Sequence, residues 1–265
     1  MNCNLIIRAL LLSILSGLAL TASAQQYGDD EVRRGFVSTR GTEVVTSKKK
    51  PGPKPRPTGP IGLGYTLFKK STSGEAVRVD PSQEFRSDDR LRFIIESNIA
   101  GYLYIFHQEN DTSPKLIYPD VRLKRGDNRL EAHLQYEIPS KEEPGDWWFN
   151  FVGPAATERF YLVVSRSRLS SVRSGDSLVT FCQQNRNGCP WRPAETVWKQ
   201  LLAQANISTR ESHSRTFGET QTEAERMAIK RDVKLQPGDP TPSVIKISTS
   251  PSARTLMVTL VIVHK

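Results

Sequence analysis

Between residues 61 and 168 the apolar side chains come in short runs broken by Gly, Pro, Asn and Asp, without helical spacing between them. The runs predict strands at 64–69, 76–79, 91–96, 102–107, 115–118, 131–136, 147–151 and 160–165. Ser73-Gly74, Asn98 to Gly101, Arg125-Gly126-Asp127-Asn128 and Pro144-Gly145 separate them, residues that supply positive φ, fix φ or bond their own backbone. Strands so spaced, without intervening helices, predict a mostly β fold: an antiparallel β-sandwich, immunoglobulin-like or related. In "GYLYIFH" alternation puts Tyr102, Tyr104 and Phe106 on one face and Leu103, Ile105 and His107 on the other. Both faces are apolar, so the strand is expected to lie centrally, buried beneath a second sheet or a helix, with its aromatics closed to ligands.

Past Leu169 the rhythm changes. Pro193 suits the first turn of a helix at 193–205, whose stripe is Val197, Trp198, Leu201, Leu202 and Ala205. Thr222 and Glu225 have capping-box spacing for a more polar helix at 222–231. These form a small C-terminal helical excursion. Strands at 244–249 and 255–263, joined by the turn 250–253, then predict a returning β-hairpin packed on the sandwich. The last of them, "LMVTLVIV", is almost uninterrupted in apolar residues and would be an aggregation hazard if exposed. It is therefore expected to pair within the sheet system begun at residue 61, with donation to a partner's sheet edge as the alternative.

The N-terminus places this pattern in a compartment. Arg8 precedes an apolar stretch, Ala9 to Leu20, and Ala22-Ser23-Ala24 offers a small-x-small cleavage site, which together predict a secretory signal peptide at 1–24. The apolar stretch is shorter than the roughly 20 residues that span a bilayer, so the mature chain is not expected to span one. Processing removes Cys3 and leaves Cys182 and Cys189, expected to form a disulfide in an oxidising, exported setting. Residues 25–60 are expected to be a disordered stalk. Its run "KKKPGPKPRPTGP" is an extended polyproline-like spacer of about 3 Å per residue. Lys48, Lys49, Lys50, Lys54 and Arg56 make it a candidate contact for an anionic surface polymer. The expected layout is thus signal peptide 1–24, stalk 25–60, sandwich 61–168, cysteine loop and helices 169–242, and hairpin 243–265.

Candidate chemistry is sparse. The aromatic strand echoes an RNA-recognition strand, but Ala100 replaces the basic residue and Leu103 the small one, and an export signal argues against nucleic acid. The best ligand contacts for an exported sandwich are Trp148 and Asn150, which alternation in "DWWFNF" places on the face opposite Trp147, Phe149 and Phe151, where an aromatic plane could stack on a sugar. Carboxylates that could be paired for glycan hydrolysis are Glu96, Glu109, Asp111, Asp120 and Asp146. Neither a Gly-x-Ser-x-Gly elbow nor a His-Glu-x-x-His motif occurs. His107, His133, His213 and His264 lie far apart in sequence, so no metal is expected. The expectation is a noncatalytic exported β-domain without a cofactor, whose partner is an envelope protein or an anionic polymer. A carbohydrate-binding accessory domain or weak glycan hydrolase is the alternative.

"FRSDDRLRFIIESNIAGYLYIF" (85–106), "KLIYPD" (115–120), "GDNRL" (126–130), "YEIP" (136–139), "WWFNF" (147–151) and "TERFYLVVSR" (157–166) follow one another in an order that resembles the secreted bacterial domain-of-unknown-function family forty-three eighty-four, over about residues 61–168. The resemblance implies an exported or envelope-associated accessory β-domain, in some members fused to peptidases, kinases or sulfatase-modifying-type modules. It implies no catalytic residue.

Overall fold

The structure, a computed structural model, describes residues 28–41, 59–122, 126–140, 148–151, 153–205, 207–214, 216–231 and 233–265. The expected alternation is realised as two facing sheets. The strands are β1 (Gly62–Lys70), β2 (Ala76–Arg78), β3 (Glu84–Phe85), β4 (Arg90–Ser97), β5 (Gly101–Glu109), β6 (Lys115–Tyr118), β7 (Arg129–Leu130), β8 (Gln135–Ile138), β9 (Phe149–Asn150), β10 (Ala156–Ser165), β11 (Thr209–His213), β12 (Val244–Ser248) and β13 (Thr255–His264). The first sheet runs β11-β12-β1-β4-β8, with β2 on β1 and β9 on β4; the second runs β3-β13-β10-β5-β6, with β7 on β5. All pairings are antiparallel except that of β3 with β13. Leu63, Leu67, Phe93 and Ile95 of the first sheet meet Leu103, Ile105, Leu162, Val164, Val258 and Ile262 of the second in one buried core. Each such side chain contributes about 1.5–3 kcal/mol by leaving water.

The expected terminal hairpin is corrected. β12 pairs with β1 and β11 in the first sheet, and β13 pairs with β10 in the second, in register from Ala156↔His264 to Ser165↔Thr255. The intervening turn therefore crosses from one sheet to the other. Leu256, Val258, Leu260 and Ile262 can face the first sheet only if β13 lies across the sandwich from it, and that burial outweighs the short-range pairing of neighbours. The final strand does pair within its own chain, as expected.

The aromatic strand is covered on both sides by different things. Leu103 and Ile105 face the inter-sheet core, whereas Tyr104 and Phe106 face a layer built from α2 (Asp176–Gln184), α3 (Glu195–Ala205) and the chain around Trp191. Phe106 meets Trp198 at a ring separation of 5.2 Å, and the Leu169 backbone N–H donates to the Tyr104 hydroxyl at 2.9 Å. α2 has no counterpart among the expected elements. Its buried residue is Leu178, too little apolar pattern to announce a helix.

The disordered stalk expected at 25–60 is corrected for residues 28–41. Residues 28–37 form helix α1, with Asp29, Asp30 and Glu31 in its first turn, where acidic groups suit the helix dipole. Val32 and Phe36, four residues apart, pack on Ile245 and Ile247 of β12. The strand beneath is cut to receive them: a Cβ on Gly62 would lie 2.8 Å from the Phe36 ring, and one on Gly64 2.4 Å from Pro242. Arg33 donates to Thr241 Oγ1 at 2.9 Å and to the carbonyls of Pro242 and Ser243. A two-residue apolar stripe is too short to read as periodic, yet docking makes it stable. Helix α4 (Glu223–Arg231) covers the same sheet, and its capping box forms as expected: the Glu225 N–H donates to Thr222 Oγ1 at 3.2 Å, the Thr222 N–H to Glu225 Oε2 at 2.8 Å. Among the described residues no helix is long and apolar enough to cross a membrane.

Candidate functional site

The edge of the second sheet at β6 turns away after Tyr118 and leaves a cleft of about 380 Å³. Leu116, Ile117, Tyr118, Pro119 and Val121 form one wall, Ile138, Pro139 and Phe149 a second, and Leu178, Pro190 and Trp191 the third. The third wall is held by the Cys182–Cys189 disulfide, the pairing expected from the sequence, with a Cα separation of 5.2 Å. The Leu116 N–H donates to the Trp191 carbonyl at 2.8 Å, which seals this wall against β6. Among the described residues the charged groups lining the cleft are Asp120 and Arg122, joined by a hydrogen bond from Arg122 Nε to Asp120 Oδ1 at 2.9 Å. A concave, largely apolar surface with a polar mouth suits an apolar ligand group. Its described residues offer no nucleophile with a base beside it.

Three polar clusters elsewhere contain residue types that could do chemistry. At one end of the inter-sheet core His107 Nε2 lies 2.5 Å from Glu158 Oε2, and His264 Nε2 lies 3.4 Å from Glu158 Oε1. The fold thus unites two histidines that are far apart in sequence. Burial pushes the Glu158 carboxyl up, but the hydrogen bond and charge of His107, with the charge and hydrogen bond of His264, more than offset it and hold the group below the usual carboxylate range. Stacking of His264 on Phe151 and His107 beside Phe160 complete a plug over the core.

The second cluster joins α1 to β4. Arg40 grips Glu96 with both ends of its guanidinium, Nε to Oε1 at 3.0 Å and Nη2 to Oε2 at 2.7 Å, while His133 Nδ1 meets Oε1 at 2.8 Å. Thr39 Oγ1 stands 2.7 Å from His133 Nε2, so hydroxyl, imidazole and carboxylate form a row like a nucleophilic relay. The row is a latch. Its carboxylate is clamped by Arg40, which also donates to the carbonyls of Asp239 and Pro240, and Phe36 packs edge-on against the imidazole.

The third cluster surrounds Trp148. Its half-buried ring lies on the outer face of the first sheet with the Arg92 guanidinium 4.4 Å from its centre and Lys70 Nζ at 5.9 Å. Arg92 in turn pairs with Glu137 at 2.6 Å and donates to Gln221 at 2.9 Å. Burial pushes the Arg92 guanidinium down from its ordinary pKa, and the charge of Glu137 opposes that push. Asn150 is exposed beside it on β9, and Phe149 and Phe151 point into the core, as alternation requires. Trp148 therefore already stacks on a cation. Of the carboxylates considered for paired acid–base work, Glu96 sits in the latch, Asp120 at the cleft mouth and Glu109 opposite Glu158 in the β5–β10 ladder. Lys48, Lys49, Lys50, Lys54, Arg56 and Asp146 lie outside the described residues.

The sequence did not point to Arg40, Glu137, Arg78 or Glu225 as partners, because the pairs they make bridge large separations; Arg78 reaches Glu225 at 2.5 Å across 147 residues. The cleft was missed for the same reason, being assembled from β6, β8, β9 and the cysteine loop. Its sequence signals are the disulfide spacing and the prolines at 119, 139 and 190. No curated protein and no solved structure matches the chain. Residues 84–168, from β3 through β10 and so beginning later than residue 61, match the family described as "Domain of unknown function (DUF4384)", so this segment of the chain is similar to that family.

Proposed function

We propose that the protein is a noncatalytic envelope module, exported through its N-terminal signal, that binds an apolar, aromatic-bearing segment of a partner envelope protein in the cleft beside the disulfide. The observation that carries this reading is a contrast in where polarity lies. The described ionisable groups best suited to catalysis are engaged with one another, in the plug, the latch and the Arg92–Glu137 pair, while the cleft presents apolar walls. Enclosed apolar surface of this size gains affinity by dehydration and needs few polar contacts. The basic run at 48–56 is read as an accessory contact with anionic polymer that keeps the module at the surface.

The test uses the purified full chain and its Val121→Glu variant, which places a charge on the cleft wall. With anilinonaphthalene sulfonate as apolar probe, wild type is expected to enhance probe fluorescence and the variant to bind about tenfold or more weakly, since an unpaired carboxylate opposes an apolar occupant. Envelope proteins retained by immobilised wild type and lost on the variant complete the support. Equal probe binding and equal retention by the two chains, with unchanged circular dichroism, would overturn the reading.

A further inference from the structure

Sheet edges that are left open recruit other strands, and natural proteins shorten, charge, kink or cover them. In this molecule the edges differ. β11 at one margin reads "TRESH", with Arg210, Glu211 and His213 along it. β8 is four residues long and ends at Pro139. β6 is equally short, lies between Pro114 and Pro119, has a register shift against β5 and is covered by the Trp191 carbonyl. β13 is neither short nor charged nor interrupted by Pro, and although α3 packs against it, the helix makes no hydrogen bond to its edge among the described residues. Beyond β10 its only strand neighbour is β3, which takes Val263 and His264, so from Thr255 to Ile262 the outer edge has no hydrogen-bonded neighbour among the described residues. That stretch, "TLMVTLVI", contains no charge, Pro or Gly. Exposed apolar side chains collect at the same place. The large ones among the described residues are Val233, Val261, Val263 and Leu202, and of these Val261 and Val263 lie on β13 and Leu202 on α3, the helix packed against β13.

We propose that β13 pairs antiparallel with β13 of a second copy of this chain, joining the two second sheets across a two-fold axis. The occupant follows from what the edge demands. It must be an uncharged, β-favouring strand with its own edge free over a similar length, and the chain itself supplies one. A two-fold pairing uses both edges at once and leaves neither open, whereas an unrelated peptide would add a new edge. The register follows from the space available. Centred on Val258, it spans residues 254–262 of each copy and stops short of β3, with Leu256 opposite Leu260 and Met257 opposite Thr259. Side chains that face the core stay on the core side, and Val261 comes to lie opposite Thr255. The cleft takes no part, so this pairing and the proposed binding stand or fall separately.

The test is the mass of the full chain by light scattering at about 50 μM, where an interface of micromolar Kd is well populated. Wild type is expected at twice the chain mass, and the double variant Thr259→Lys/Val261→Lys, altered at exposed positions, at the monomer mass with unchanged circular dichroism. Met257→Cys chains mixed with Thr259→Cys chains are expected to form an interchain disulfide on mild oxidation. A monomeric wild type sinks the proposal and leaves strand addition by a different protein as the use of this edge. A dimer that the lysine pair leaves intact, without the interchain disulfide, also sinks it, because the contact is then elsewhere.

Discussion

Both outer faces of the sandwich carry helices, on different terms. Over the second sheet Tyr104, Phe106 and Val163 meet Trp191, Trp198 and Leu201 in an apolar seam. Over the first sheet Val32 and Phe36 do pack, but the cover is pinned by Arg40–Glu96 and Arg78–Glu225, with Arg92–Glu137 bridging β4 and β8 beneath it, all six side chains nearly withdrawn from water. Apolar burial stabilises in proportion to area and tolerates many geometries. A buried ion pair must first overcome the desolvation of both charges, so it adds little net stability against an apolar substitute, yet losing one partner leaves a bare charge inside. The two faces should therefore respond differently to the same kind of damage.

The largest effect is expected on the apolar side. Phe106→Ala removes a fully buried ring that touches Trp198 and should cost about 4 kcal/mol in urea unfolding. A loss under about 1 kcal/mol would mean that α3 is not seated on β5. On the polar side Arg40→Ala should cost about 3 kcal/mol, because among the described residues Glu96 then keeps His133 alone. The double variant Arg40→Met/Glu96→Leu separates the faces. It should recover most of that loss, whereas a double variant as unstable as Arg40→Ala alone would show that the ion pair adds net stability over an apolar pair, and losses that simply sum would show that the two side chains are not coupled.

Legibility divides along the same line. The strands around 91–96, 102–107, 115–118 and 160–165, the burial of both faces of β5 and the stripe of α3 are written in local alternation, and the structure follows them except at Leu202, which it leaves exposed. The Cys182–Cys189 bridge was legible because Cys3 falls in the expected signal peptide and the other two cysteines allow one pairing. Docking of α1 was not, since Phe36 means little until Gly62 and Gly64 are known to lie beneath it. The routing of β12 and β13 into different sheets was hidden because a short turn between apolar strands reads as a hairpin, and only the competition for the inter-sheet core decides otherwise. The cleft depends on four separate segments, so its residues carry no shared local signal.

The plug at the end of the core adds a pH-dependent version of the polar cover. Glu158 has its folded pKa held below the ordinary 4.5, so its contribution is present above the unfolded value and lost as pH falls through the folded one. Wild type should therefore lose stability on acidification below about pH 4.5 in part through Glu158. The groups facing it are His107 and His264, with Glu109 opposite in the ladder. Glu158→Gln should start less stable at neutral pH and fall less steeply with acid in a series of urea titrations. Parallel pH profiles for the two chains would remove the plug from the account of acid stability.

The smallest effect tests whether the polar cover of the first sheet is organised before it is paired. Glu225 serves twice, accepting from the Thr222 backbone N–H in the capping box and from Arg78 in the ion pair. Thr222→Ala removes the hydroxyl that receives the Glu225 N–H and leaves both charges in place, so it should cost about 1 kcal/mol, a typical cap. If the cap also aims the carboxylate at Arg78, Thr222→Ala and Arg78→Met should be non-additive, the double variant losing less than the sum of the two. Additive losses in the double-mutant cycle would mean that the cap and the ion pair hold α4 independently, with the cap leaving the carboxylate's aim at Arg78 unchanged.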